Sequence, residues 1–234
     1  MFVRRLSALR YLIAGAVLSV TSLAHADLIT ADLTDFTNGG GFFAQVELED
    51  TAPNTVAIRI DIADPINAGL TQGDVLGLWL DVNDASFLPI LNGLFSSPNF
   101  GNVFQNENPA GIVTAALAVE NSVNAVGSSN NSLSGGGGAG LDFDIGIALG
   151  AQGSQAGFNQ TISFDLVFDG IDTSVFFNER VGMRVQSITS PTFTVGSSRL
   201  LGGFPPPTSV SAPASLALLG VGLLALGLRK RLAA

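Results

Sequence analysis

Apolar residues recur at every second position along the middle of this chain. The pattern is clearest in "TVAIRIDIAD" at 55–64, "LDFDIGIAL" at 141–149 and "TISFDLVFDG" at 161–170. Because successive side chains of a β-strand point to opposite faces, this period predicts strands with one buried face. Such half-buried strands are typical of antiparallel sheets.

Further segments show a shorter or less regular alternation, and turn sequences rich in Gly, Asn, Asp and Pro separate them. These weaker strand predictions are 28–33, 42–49, 75–82, 112–119, 181–188 and 192–195. The body shows no helical periodicity. We therefore expect an all-β fold at 27–203, a single antiparallel β-sandwich that is jelly-roll-like.

Two long stretches lack any strand pattern. The first, at 84–111, contains four phenylalanines and is expected to pack onto the domain, with a binding surface as the alternative. The second, at 124–140, is "NAVGSSNNSLSGGGGAG", whose composition predicts a flexible connection.

Residues 1–26 have the three parts of a cleavable signal peptide. A basic start with arginines at 4, 5 and 10 precedes an apolar stretch at 11–20, and Ala24 and Ala26 form a small-x-small cleavage site. The paired arginines match a twin-arginine signal only loosely. We expect export and a mature chain that starts at Asp27.

The body between the terminal segments is strongly acidic. All 19 acidic residues lie at 27–179, whereas the body contains only four arginines and no lysine, a formal net charge of −15. Such a charge repels nucleic acid, so no nucleic-acid partner is expected.

Residue types that most enzymes require are missing from the body. The chain has no cysteine, and His25, Tyr11 and Lys230 are the single copies of their types, all in the terminal segments. This excludes a Ser-His-Asp triad, an imidazole zinc site and a lysine Schiff base in the body. We expect no catalytic residues, with a two-carboxylate glycosidase as the less favoured alternative.

Calcium is the one cofactor that the acidic residues suggest. Asp81, Asn83 and Asp84 in "DVND" end a predicted strand and combine carboxylates with an amide, so they form the candidate calcium site. Asp142 and Asp144 share the polar face of a strand, and a solvated face explains them more simply. None of these segments matches an EF-hand loop.

The segment "SAPASLALLGVGLLALGLRKR" at 211–231 follows a Pro-rich linker predicted at 204–212. Its uncharged part at 214–228 predicts an apolar helix of roughly 22 Å, shorter than the roughly 30 Å hydrocarbon core of a bilayer. The basic residues that follow are suited to hold it at the cytoplasmic side. These basic residues are Arg229, Lys230 and Arg231. One interpretation of the whole segment is a simple membrane tail.

The segment at 213–234 resembles the PEP-CTERM sorting signal of exported proteins of Gram-negative bacteria. Pro213 matches the second proline of that signal, whereas Ser211 and Ala212 stand in place of the first proline and the glutamate. The resemblance implies transient retention in the inner membrane through the C-terminal helix. It also implies recognition by exosortase, a membrane protease, removal of the tail near Pro213, and delivery to the cell surface or extracellular matrix.

The closing part of the body also resembles proteins that have this signal, whose last strands read "R-x-Q-S-V" followed by "G-S-S-K-L-x-G". The residues that fit are Arg184, Gln186, Ser187, Arg199 and Leu200. Because proteins of this group share a sorting tail and no common activity, the resemblance implies where the protein is delivered and not what activity it has.

These observations predict a non-catalytic structural or adhesive protein of the cell surface or a biofilm-type matrix, with exosortase and extracellular polysaccharide as partners. The alternative is a carbohydrate-binding or calcium-dependent adhesion module. Trp79, mid-strand in "GLWLDV", is expected in the core rather than as a sugar platform. The sequence identifies no ligand-binding residues.

Overall fold

The computed structural model describes residues 28–37, 41–84, 100–105, 108–109, 117–127, 131–133, 141–149, 158–167, 169–191 and 196–207. The predicted signal peptide and the predicted sorting tail lie outside these residues.

The described residues form 11 strands and one short 3-10 turn, without an α-helix. The strands are β1 Leu28–Asp35, β2 Phe43–Ala52, β3 Thr55–Asp61, β4 Gln72–Leu80, β5 Phe100–Gln105, β6 Asn108–Pro109, β7 Leu117–Val123, β8 Phe143–Ala148, β9 Thr161–Val167, β10 Arg180–Thr189 and β11 Ser197–Gly203, and the turn is η1 Thr173–Phe176. The all-β prediction is confirmed.

All the strands pair antiparallel in one sheet, with the order β6-β5-β9-β3-β2-β1-β11-β10-β4-β8-β7. A sandwich has two separate hydrogen-bonded sheets, whereas hydrogen bonds here join all the described strands. The halves meet where β1 pairs with β11, at Thr34 with Leu201 and Asp35 with Leu200.

The sheet curls so that its two halves share one core. In the strand order β9 is third and β8 is tenth, so a flat sheet would hold them about 34 Å apart at about 4.8 Å per strand. Yet Phe164 of β9 is 2% exposed and Ile147 of β8 is 0% exposed, whereas a flat single layer would leave such side chains open to water. The inner faces of the two halves of this one sheet therefore cover each other, and the predicted sandwich of two separate sheets is replaced by a single curled sheet.

The alternation seen in the sequence matches the burial of the strands. In β3 the side chains of Val56, Ile58 and Ile60 are buried and those between them are not. In β4 both faces are buried, because Trp79 belongs to a second cluster on the outer face. Leu133 and Phe143 are members of that cluster, and the expectation that Trp79 is a core residue is confirmed.

Two predictions about irregular segments need correction. β5 and β6 lie within 84–111, and Asn131, Ser132 and Leu133 of the stretch at 124–140 are buried. β11 lies where the closing-strand resemblance implies a strand, although "SSRLLGG" has little strand propensity; hydrogen bonds to β1 and β10 on both sides stabilise it. The predicted strand at 192–195 lies outside the described residues.

Candidate functional site

A salt bridge holds the first residue of the predicted calcium site. Asp81 follows β4 and accepts a hydrogen bond through Oδ2 from Nε of Arg180, at 2.5 Å. The Arg180 guanidinium also donates to the carbonyl oxygen of Asp142 at 2.7 Å and lies over the ring of Phe143, 4.8 Å from its centroid. The arginine thus neutralises the Asp81 carboxylate at close range.

Two further carboxylates surround this pair. Asp144 accepts a hydrogen bond from the backbone N–H of Val82 at 3.1 Å. Burial raises the pKa of Asp81, and Arg180 opposes part of that rise. Burial also raises the pKa of Glu179, and the negative charges of Asp81 and Asp144 add to it. The negative charges of Asp81, Asp144 and Glu179 therefore act on one another at this end of the sheet, where Arg180 pairs with Asp81.

Asn83 of the predicted calcium site has a different partner from Asp81. The Asn83 amide donates to the carbonyl oxygen of Ser174 at 2.7 Å, whereas Asp81 binds Arg180. Within the part of the chain that the structure describes, no group of three acidic, histidine or cysteine side chains has a metal-site arrangement. The calcium site at Asp81, Asn83 and Asp84 stays a prediction.

Other acidic residues accept hydrogen bonds from nearby backbone N–H groups. Asp172 accepts a hydrogen bond from the backbone N–H of Ser174 and caps η1. Asp61 accepts from the N–H of Ala63 at 2.8 Å and forms a salt bridge with Arg59. Such local bonds are typical of aspartates at turns, so these residues shape the loops.

The residues of the closing-strand resemblance have distinct positions. Gln186 hydrogen-bonds the buried Asp74, and Ser187 adopts a positive φ of 54° in the irregular pairing between β10 and β4. Leu200 is fully buried in the inner core. Arg184 and Arg199 lie directly opposite each other across β10 and β11. The residues that fit the resemblance thus lie in the core, in the irregular pairing and on the outer face of β10 and β11.

The described chain ends at the surface. Phe204 follows β11 and is buried against Phe176, with ring centroids 6.3 Å apart. Pro205, Pro206 and Pro207 are exposed. The last packed side chain is therefore Phe204, the first residue of the predicted linker, and the prolines direct the chain away from the core.

Nothing in the described residues is a helix long and apolar enough to cross a membrane. The predicted span at 214–228 and the processing residues Ser211, Ala212, Pro213, Arg229, Lys230 and Arg231 lie outside those residues, as do Ala24 and Ala26.

Comparison with known families gives a match at the C-terminal tail. The PEP-CTERM protein-sorting motif matches residues 209–231, which confirms the resemblance noted at the C-terminal tail. Comparisons with curated proteins and with solved structures give no match. The match begins soon after Pro207, where the described part of the body ends.

Proposed function

Because the chain carries a PEP-CTERM protein-sorting motif, which marks exported proteins handled by the membrane protease exosortase, we propose that it is a non-catalytic surface or matrix protein. The export signal at 1–26 brings it to the inner membrane, and the tail holds it there. Cleavage near Pro213 then releases the body to the cell surface or a biofilm-type matrix, where it acts structurally or adhesively.

The position of the motif carries this proposal. The body packs its last side chain at Phe204, and the motif starts at residue 209 after exposed prolines. Successive prolines favour an extended chain, which keeps a cleavage site away from the folded body. A membrane protease would therefore reach the tail without unfolding the sheet.

The chemistry of the body supports a non-catalytic role. The body has no histidine, cysteine, lysine or tyrosine, so acid–base and nucleophilic catalysis would depend on carboxylates and hydroxyls. The buried Asp81 is paired with Arg180, and the buried Asp74 accepts hydrogen bonds from Asn159. We therefore propose contact rather than catalysis as the task of the body.

The outer face of β1, β2, β3 and β9 is the surface that we propose for such contacts. It forms a shallow groove of about 250 Å³ whose polar lining includes Glu47, Glu49, Arg59, Ser163 and Asp165. Carboxylates and an arginine in this groove offer acceptors and donors to the hydroxyl groups of a neutral polysaccharide.

Mass spectrometry of the protein from an exosortase-containing Gram-negative host tests the sorting proposal. We expect extracellular protein that starts near Asp27 and ends near Pro213, and an intact tail in a host without exosortase. Pro213→Ala should slow cleavage, whereas Pro207→Ala, outside the matched motif, should not. Extracellular protein that retains residues 229–234 would contradict the proposal.

A further inference from the structure

Two arginines meet on the outer face of β10 and β11. Arg184 and Arg199 are opposite each other in the strand register. Arg184 Nη1 and Arg199 Nε donate to the same carbonyl oxygen, that of Ser132, at 3.0 and 3.1 Å. The structure therefore holds two like charges close together on one neutral acceptor.

No carboxylate among the described residues balances these charges. The salt bridges there involve Arg59 and Arg180, and none involves Arg184 or Arg199. Burial lowers the pKa of Arg184, and the charge of Arg199 lowers it further. In a body with 19 acidic residues and four arginines, an arginine pair without an acidic neighbour is unexpected.

Polar atoms around the pair also lack partners. Arg184 Nε is buried without a hydrogen bond in the described structure, and so is Oδ1 of Asn131. The Asn131 side chain is 3% exposed, and its Nδ2 donates to the carbonyl oxygen of Leu76 at 2.9 Å. Buried polar atoms normally have a partner, so this unpaired donor and this unpaired acceptor leave two hydrogen-bonding positions for a ligand group or a water molecule.

We propose that Arg184 and Arg199 form a binding site for the carboxylate group of a small hydroxylated acid, such as a uronic acid. The planar guanidinium group matches a carboxylate with paired hydrogen bonds. A body charge of −15 opposes a multivalent anion more strongly than a singly charged one. Asn131 Oδ1 would accept a hydrogen bond from a ligand hydroxyl.

The single tryptophan provides the reporter for this site. Arg184 is opposite Gly77 in the register, and a Cβ atom placed on Gly77 would lie 2.7 Å from Cη2 of Trp79. The indole ring thus covers the strand position next to the arginine. Binding at the pair should change the fluorescence of Trp79.

The test is a titration of the full chain in detergent with sodium D-glucuronate at constant ionic strength. Trp79 fluorescence measures the binding. We expect a saturable change with glucuronate, a weaker response to acetate and none to glucose. Arg184→Gln and Arg199→Gln should weaken glucuronate binding at least tenfold. Asp64→Asn changes one charge at an exposed turn residue outside both proposed surfaces and should bind like the wild type.

Three outcomes would overturn the proposal. An equal response to glucose would show that the carboxylate is not recognised. Tighter binding of sulfate than of glucuronate would show that the ligand class is wrong, and unchanged affinity in both glutamine variants would place binding elsewhere. If the glutamine variants do not fold, Arg199→Lys, which keeps the charge and loses the planar fork, should still weaken binding.

This inference goes beyond the proposed sorting and surface role, and it depends on other residues. Tail cleavage is measured at residues 209–231 and ligand binding at Arg184 and Arg199. Failure of either experiment would therefore leave the other proposal standing.

Discussion

At the scale of single residues, the buried acidic side chains decide how stability depends on pH. Asp74 in β4 is 2% exposed and accepts hydrogen bonds from the backbone and side chain of Asn159. Burial raises its pKa above the ordinary 3.8, although the bonds from Asn159 and Gln186 oppose the rise. A folded-state pKa above that of the unfolded chain means that the folded protein takes up the proton first.

The sign of the effect follows from this order of protonation. As the pH falls from neutral toward 3.8, the folded state binds more protons at Asp74 than the unfolded state does, so this group adds to the free energy of unfolding. At neutral pH the buried charge opposes folding, and below both pKa values the contribution no longer changes.

We predict that Asp74→Asn makes the free energy of unfolding less dependent on pH, because the amide cannot ionise and its oxygen can still accept from Asn159. Urea denaturation at several pH values between 7 and 4 measures the difference between variant and wild type. The exposed Asp32→Asn in β1 is the control. A pH profile of Asp74→Asn parallel to that of the wild type would contradict the prediction.

At the scale of strands, the close approach of β11 to β1 joins the two halves of the sheet. A Cβ atom on Gly202 would lie 2.5 Å from the backbone oxygen of Asp32. Backbone cannot yield as a flexible side chain can, so this position requires glycine. On the adjacent Gly203, the same atom would lie 3.6 Å from the backbone oxygen of Glu179, an ordinary contact.

We predict that Gly202→Ala lowers the free energy of unfolding by about 2 kcal/mol, in the range of overpacked core substitutions. Gly203→Ala should change it by less than about 0.5 kcal/mol, as surface substitutions usually do. Urea denaturation of both variants measures the contrast. Equal stabilities would show that β11 can move away from β1 without cost.

The strands also show where sequence patterns are informative. β3 and β9 were predicted because each has one apolar face, and the alternation of a half-buried strand is visible in its own residues. β4 is buried on both faces and β11 contains serines and glycines, so their environments depend on neighbouring strands. Burial on the second face of β4 comes from Leu133 and Phe143, which are far away in the sequence.

At the scale of the whole molecule, two buried clusters share the same strands. The inner cluster joins both halves of the sheet, and the outer cluster around Trp79 uses the opposite face of β4 and β8. Both clusters therefore include side chains of β4 and β8. The sheet should therefore unfold as one cooperative unit.

We predict that the Trp79 fluorescence and the far-UV circular dichroism of the chain change at the same urea concentration. Fluorescence reports the outer cluster, since the chain has one tryptophan, and circular dichroism reports the whole sheet. A fluorescence transition at clearly lower urea would mean that the outer cluster opens while the sheet persists.

For the candidate sites, the sequence indicated single residues and the structure showed which residues they contact. Asp81, Asn83 and Asp84 are close in the sequence, yet their proximity did not reveal that Arg180 would bind Asp81. Arg184 and Arg199 matched the closing-strand resemblance as two separate positions. Nothing in the residues next to them in the sequence predicted that both would donate to Ser132. Spacing along the chain cannot show which strands become neighbours, because antiparallel pairing depends on register and on the other strands in the sheet.

The sequence by itself determined the all-β class, the acidic character of the body and the sorting motif at 209–231. Each of these properties follows from the order of neighbouring residues in the sequence or from the composition. Only the tertiary structure decided that one sheet curls into a shared core, that Trp79 is covered on the outer face, and that Arg184 and Arg199 meet without an acidic neighbour among the described residues. These features depend on contacts between distant segments, whose free energy is set by packing and register rather than by any one stretch of residues.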